Sequence, residues 1–430
     1  MNSPYNGFMK FTRLIGTKDI LPGESYQWIA LQNRLREASA HFGYREIITP
    51  MIEMTHLFIH SVGDVTDIVS KEMYHFRDKG DREITLKPEG TSSVVRAYLE
   101  NHLTDWTKPV KLYYLDRYFR YEKPQKGRYR EFHQYGAECF GSESPAVDTE
   151  MIQLAFHLLQ CMGMKELVLQ LNSIGCPACR PRYREILVSF LTAHELALCP
   201  ECRNRTDKNP LRVLDCKKET CQKVLAEAPA IVEYLCSDCA VHFLTLQKYL
   251  QALSLPFQCN PRLVRGFDYY NRTVFEISST SLGSQSALLG GGRYDYLVEM
   301  LGGPSTPAVG FAMGLERAMM IIQETNSILF HEPSTKIWIA NFGGETLHES
   351  LTVADSLRRV DVNTEVDLEG KGIKKSLEIA LKKEIPYLLI IGEDEIKSQQ
   401  YTLKDLQLKS QQTMGLSDII HTVKARYASL

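Results

Sequence analysis

Arginine beside glycine or aromatic residues, in three separate segments, gives this chain the residue chemistry of an anion site. In the stretch FRYEKPQKGRYREFHQYGAE, Arg120 follows a run of aromatics and precedes a basic loop carrying Lys123, Lys126, Arg128 and Arg130. The returning arm supplies Gln134 and Glu138, whose even spacing places both on one face of a strand. In GGGRYD the glycines allow backbone to approach a ligand closely, with Arg293 following, and GFAMGLERA puts Arg317 near a helix start, where amides favour anions. The third segment, LVRGFDYYNRTVFEI, sets Arg265, Asp268, Tyr269 and Tyr270 at the entry to a strand-like run. An arginine beside two tyrosines is costly to bury unless an anion meets it there. Each segment alone has a bland reading: cross-strand ion pairs, a tight turn, a helix entry. Together they describe guanidinium forks arranged for phosphate and carboxylate.

Two other stretches imitate known chemistry without completing it. EGKGIKKS, at 369–376, is a glycine-rich turn between a strand and a helix, but its spacing fits neither phosphate-loop pattern. HEL at 194–196 lacks the second histidine of a zincin helix. Any use of ATP must therefore rest on another architecture.

The chain carries eleven cysteines. Cys176-x2-Cys179 and Cys199-x2-Cys202 match a zinc-ribbon spacing, and Cys216-x4-Cys221 and Cys236-x2-Cys239 follow. The spacing leaves two readings open: structural zinc at about one ion per chain, or thiols buried in a helical segment.

The elements that must position these residues can be read from periodicity. Trp28, Leu31, Leu35 and Ala38 recur at helical spacing over 24–43, ending at Gly43. YREIITPMIE reads as a strand with Pro50 inside it, at an edge or interface. REITLKPEGTSSVVRAYLE passes from a strand through Glu89 and Gly90 into a helix capped near Thr91 or Ser92. KLYYLDRYFRYE and YREFHQYGAECFG alternate like the arms of a long antiparallel hairpin. Residues 176–255 are cysteine-rich and mainly helical, and read as an insertion; strand signals then return before the helix GLERAMMIIQE. After the linker HEPST, the order KIWIANF, TLHESLTVADSLRRV, NTEVDL, IKKSLEIALKKE, PYLLIIG is a βαβαβ alternation.

A chain of 430 residues exceeds one core. The division expected is a catalytic domain over 1–330, interrupted by the insertion at 176–255, and a second domain over 336–430. The net charge of −2 means that any basic, nucleic-acid-binding face is local. No signal-peptide pattern and no apolar run of membrane length occurs, which predicts a cytoplasmic protein.

Taken in order, these segments resemble the class II aminoacyl-tRNA synthetases, and most closely the histidyl-tRNA synthetase family. GYREIITPMIE is similar to the first class II motif, with Pro50 facing a dimer partner; FRYEKPQKGRYREFHQYGAE to the second; and GGGRYDYLVEMLGGPSTPAVGFAMGLERA to the third. LVRGFDYY resembles a signature particular to the histidyl enzymes, and LKPEGTSSVVRAY their amino-acid-binding loop. The likeness runs from GTKDILP at 16–22 to the C-terminal domain, and the cysteine-rich insert departs from the simplest family pattern.

The resemblance implies a six-stranded antiparallel catalytic sheet flanked by helices, a homodimer, and a C-terminal α/β domain that binds the anticodon. It implies that L-histidine and ATP with Mg²⁺ give histidyl-adenylate, and that histidine then moves to the 3′-terminal adenosine of tRNA(His). Carried onto this sequence, Arg120 binds the α-phosphate and Arg317 the γ-phosphate. Glu89 and Thr91, flanking Gly90, receive the amino group, while Gln134 contacts amino acid and adenylate. Glu138 and Tyr270 read the imidazole nitrogens, Tyr269 lines the pocket, and Arg265 faces Arg120 across the reacting groups. Lys371, Lys374 and Lys375 are candidate tRNA-phosphate contacts, and the family does not require zinc. A rival is the non-catalytic, synthetase-like regulatory subunit of ATP phosphoribosyltransferase, which typically lacks the C-terminal domain. Another class II synthetase is the second rival.

Overall fold

The computed structural model describes every residue except 1–10, 64–65, 67, 124, 126, 280–286, 326–327, 329, 331–333 and 428–430. Lys126 and part of the HEPST linker lie outside the described residues. The chain forms two compact units, residues 1–330 and 331–430.

An eight-stranded sheet organises the first unit. Its spatial order is Arg45–Glu46, Val110–Phe119, Glu131–Phe140, Ala308–Gly314, Ala287–Arg293, Asn271–Ser279, Leu167–Ser173 and Phe257–Cys259. The inner six strands are all antiparallel, and the two short outer strands pair in parallel. The hairpin read from alternating aromatics is present in full register, Val110 opposite Phe140 and Phe119 opposite Glu131.

Alternation along Glu131–Phe140 divides the two faces. Tyr135, Ala137 and Cys139 enter a core built on helices Pro22–His41, Pro145–Cys161 and Leu315–Thr325. Trp28, Leu31, Leu35 and Ala38 are buried there, so the helical spacing was a true core face. Gln134 and Glu138 point the other way, toward helix Thr91–Glu100 and Tyr114, Tyr269 and Tyr294. The second face has an apolar cluster of its own, including Val110, Leu112, Phe140 and Val274, and the polar groups are set within it.

Two elements differ from the sequence expectation. YREIITPMIE is not one strand: Arg45–Glu46 joins the large sheet, while Ile52–Met54 joins a separate three-stranded sheet. Pro50 stands between them, where the missing N–H of proline breaks a ladder. The glycines of GGGRYD lie in an inner strand, Ala287–Arg293, where strand signals were expected to return. The helix Ser237–Ala252, at the end of the cysteine-rich segment, buries Phe243, Leu246 and Leu250 in the main core.

The second unit carries the expected βαβαβ order, with Thr364–Val366, Ile337–Ala340 and Tyr387–Ile390 in parallel. Tyr401–Asp405 and Ser410–Met414 extend this sheet as an antiparallel hairpin, and helix Leu416–Tyr427 follows. The EGKGIKKS turn is not a phosphate cradle. Asp367 already occupies its donors, accepting from the Lys371 amide at 2.7 Å, the Glu369 amide at 3.1 Å and the Ser376 hydroxyl at 3.2 Å.

Candidate active site

The polar face of the large sheet carries a cavity of about 260 Å³. Glu89, Thr91, Gln134, Arg265, Tyr269 and Tyr270 all line it, as does Arg120. Thus seven of the side chains singled out in the sequence converge on one chamber, although they come from three separate segments.

Glu138 lies beneath this chamber, 1% exposed. Its Oε1 accepts from the Thr91 hydroxyl at 2.8 Å and the Tyr114 hydroxyl at 3.2 Å, and Oε2 accepts from Tyr294. Burial pushes its carboxyl up to about pKa 8, against the pull of those hydroxyls. Gly310, opposite Glu138 in the sheet, makes room for the carboxylate: a Cβ there would collide with Oε2. Glu89 spends both oxygens on the start of helix Thr91–Glu100, accepting from the amides of Thr91 and Ser92 at 2.8 Å each. Burial raises its carboxyl as well.

Two buried polar atoms around this chamber have no partner in the fold: Gln134 Oε1 and Arg265 Nε. Buried polar groups are nearly always hydrogen-bonded, so these two side chains stand out in the cavity wall as exceptions. Arg265 is held on its other side by Glu276 Oε2 at 2.8 Å, and its guanidinium lies over Gly290, where any side chain would displace it. Tyr269 packs against Phe267, Tyr270 and Tyr294, with ring centroids 5.1, 4.7 and 5.6 Å apart.

Arg120 is the link to a second, neighbouring cavity of about 170 Å³, lined also by Arg128, Phe132, Glu122 and Arg317. Its Nε donates to the Pro88 carbonyl at 2.8 Å and its guanidinium sits 5.2 Å from the Phe132 ring centre. Arg317 donates to the Ala287 carbonyl at 2.6 Å, which fixes the fork at the cavity wall. Burial, and then the neighbouring Arg128, hold its pKa below the usual arginine value. One guanidinium therefore faces both chambers, with Arg212 and Arg265 beside it in the larger and Arg128 and Arg317 in the smaller.

Arg293 does not belong to this set. It is wholly buried, paired with Asp148 and with Asp295 at 2.9 Å, and donates to the Ser142 carbonyl at 2.6 Å. Its role is to fasten strand ends together. Among the candidate lysines, Lys371 pairs with Glu369 at 2.7 Å and Lys375 with Glu378 at 2.8 Å. Sequence reasoning missed Tyr114, Tyr294, Glu276 and Arg212. Tyr114 was legible, lying on the same strand face as Leu112 and Tyr118. Arg212 was not, because it reaches the cavity from the cysteine-rich segment only through the tertiary fold.

A family model described as histidyl-tRNA synthetase matches residues 16–318, and one described as an anticodon binding domain matches 336–426. A histidine–tRNA ligase of Desulfitobacterium hafniense is 44% identical over 419 residues, covering 97% of this chain and 99% of the relative. One from Clostridioides difficile is 45% identical over 413 residues, covering 96% and 98%. The crystal structure of apo S. aureus histidyl-tRNA synthetase superposes with a TM-score of 0.81 at 32% identity, over 96% of this chain and all of that one.

Proposed function

The chain belongs to the histidyl-tRNA synthetase family and acts as a histidine–tRNA ligase, and on that premise we propose which side chains carry each part of the reaction. The larger chamber takes L-histidine and the smaller takes ATP, so that the amino-acid carboxylate meets the α-phosphate at Arg120. The observation that carries this assignment is the position of Arg120 in the walls of both cavities.

In the first step a histidine carboxylate oxygen forms a bond to the α-phosphorus and the bond to pyrophosphate breaks. Two anions must be brought together, and charge grows on the five-coordinate phosphorus; preorganised cations meet both needs, with no enzyme nucleophile. Arg120 and Arg265 flank the reacting carboxylate and α-phosphate. Arg317 holds the far end of the triphosphate, and the Phe132 ring offers the nucleotide an aromatic face. Mg²⁺ entering with ATP supplies further positive charge to the leaving pyrophosphate, and Glu122 and Glu276 are hard oxygen donors beside Arg120 and Arg265 that fit it. The amino group meets Glu89 and Thr91, Gln134 Oε1 gains its missing partner, and Glu138 with Tyr270 reads the imidazole. In the second step the ribose hydroxyl of the terminal adenosine of tRNA(His) attacks the histidyl carbonyl and AMP leaves.

The unit 331–430 grips the anticodon, and the basic hairpin loop around Arg128 and Arg130 meets acceptor-stem phosphates. Exposed Ile48, Ile52 and Met54 flank Pro50 and support a homodimer in which a second copy covers them. No helix among the described residues is long and apolar enough to cross a membrane, in keeping with work in the cytoplasm. The anticodon-domain match and the arginine set both weigh against the regulatory-subunit alternative.

The test is histidine-dependent ATP–pyrophosphate exchange on purified protein, followed by charging of total tRNA. Exchange with histidine and none with other amino acids is expected. Exchange driven by another amino acid would reject the assignment of the larger chamber.

A further inference from the structure

Eight cysteines gather into two groups of four: Cys176, Cys179, Cys236 and Cys239, and Cys199, Cys202, Cys216 and Cys221. The sequential zinc-ribbon pairing read from spacing is not the one the fold makes; the second group nests inside the first. Within each group all Sγ atoms lie within 4.8 Å of one another. Zinc–sulfur bonds of about 2.3 Å in a tetrahedron separate the sulfurs by about 3.8 Å. Cys176 Sγ is 3.7 Å from Cys179 Sγ and 3.9 Å from Cys236 Sγ. A disulfide would need about 2.05 Å. Backbone amides also point at the sulfurs, Cys236 N–H to Cys179 Sγ at 3.1 Å and Cys199 N–H to Cys221 Sγ at 3.2 Å. Such outer hydrogen bonds orient metal-binding thiolates. Thiols buried for packing alone have no reason to gather twice in fours with every sulfur within 4.8 Å of the others.

Both groups abut the segment that lines the larger chamber. Gly175, just before Cys176, accepts from the Arg272 amide at 2.9 Å, and Ile174 donates to the Arg272 carbonyl at 2.7 Å. Arg180, just after Cys179, donates to the Tyr270 carbonyl, and Arg272 hydrogen-bonds Cys239. Four thiolates around one Zn²⁺ leave a net double negative charge, which these two arginines flank. The second group frames the turn Pro210–Asp215, from which Arg212 donates to the Arg265 carbonyl at 3.2 Å. Asn209, beside that turn, donates to Asp268 Oδ1 at 2.8 Å.

We propose that the chain binds two structural zinc ions, one in each tetrathiolate group, and that together they brace residues 265–272 as the wall of the larger chamber. The metal sites stand on sulfur geometry alone; only the bracing role rests on the reading of that chamber as the histidine site. Arg212 is then a positioning residue, acting through Arg265.

Elemental analysis of the full-length protein, produced with zinc supplied, should give two zinc ions per chain, one for each group. Cobalt in their place should show the thiolate charge-transfer bands of a tetrahedral site. Cys176→Ser with Cys179→Ser, and Cys216→Ser with Cys221→Ser, should each remove one ion and spare the other. A wild-type stoichiometry of one or none, or disulfides within either group, overturns the proposal whether or not the variants fold. For the brace, Arg212→Ala should keep both ions but lower kcat about tenfold in pyrophosphate exchange, as displacement of Arg265 requires, with the KM for histidine little changed. Unchanged kcat, with both ions bound and histidine exchange intact in the wild type, overturns the bracing role and leaves the activity assignment standing.

Discussion

The Thr91 hydroxyl donates to Glu138 Oε1 at 2.8 Å, tying the start of a helix to the floor of the central sheet. Three hydroxyls converge on a carboxyl that burial otherwise keeps protonated, with its pKa pushed up to about 8. The folded protein therefore holds this proton across a range in which the unfolded chain has lost it. The stability due to Glu138 is complete below the ordinary carboxylate range and is lost as pH rises through about 8. Glu138→Gln cannot titrate. The melting temperature of the wild type relative to this variant should therefore fall between about pH 5 and about pH 9. Histidine affinity should drop in the variant far more than ATP affinity, by on the order of a few kcal/mol if the imidazole is left half-paired. Equal losses for both substrates would place Glu138 elsewhere in the reaction.

Arg265→Ala should slow adenylate formation by about 10²–10³-fold, as loss of preorganised charge does. Transfer from preformed histidyl-adenylate should suffer less, because the phosphate is by then part of the leaving group. Rapid-quench kinetics of the two half-reactions on folded variant would measure both, and equal losses would assign Arg265 to structure alone.

Arg293→Met makes the opposite forecast. It strands Asp148 and Asp295 in the interior, and breaking a buried pair from one side costs about 3–5 kcal/mol. Chemical denaturation should register that loss, while the KM values of the folded fraction hold. A large KM change without destabilisation would return Arg293 to the ligand site.

A chain ending at residue 330 should keep histidine-dependent pyrophosphate exchange and charge tRNA poorly, since residues 1–330 form a compact unit of their own. Loss of exchange in a well-folded truncation would contradict this division of labour.

The sequence carried the elements whose periodicity is local. The hairpin of 110–140 and the helix with Trp28, Leu31, Leu35 and Ala38 were legible because one buried face imposes a repeat of two or of 3.6 residues. Pro50 misled the reading because a bulge-free strand and a broken one share the same apolar pattern, and only the sheet partners distinguish them. Arg293 and Arg265 looked alike in sequence, each beside glycine and tyrosine. What separates them is Asp148, 145 residues away in the chain, which no spacing rule can pair with Arg293. The grouping of cysteines failed for the same reason: Cys176 finds Cys236, 60 residues on, before it finds Cys199.

The parallel pairing of Leu167–Ser173 with Phe257–Cys259 needs a crossover, and helix Ser237–Ala252 provides it. Cys176 and Cys179 stand where the chain leaves the first strand, and Cys236 and Cys239 where that helix begins, so residues 180–235 start and finish at one spot. They form a side loop closed at its neck. Because closure costs grow only slowly with loop length, this stretch can lengthen or shorten without a single strand changing its neighbour, so long as the turn carrying Arg212 still meets Arg265. It is a docking bay for new sequence on an otherwise fixed chassis.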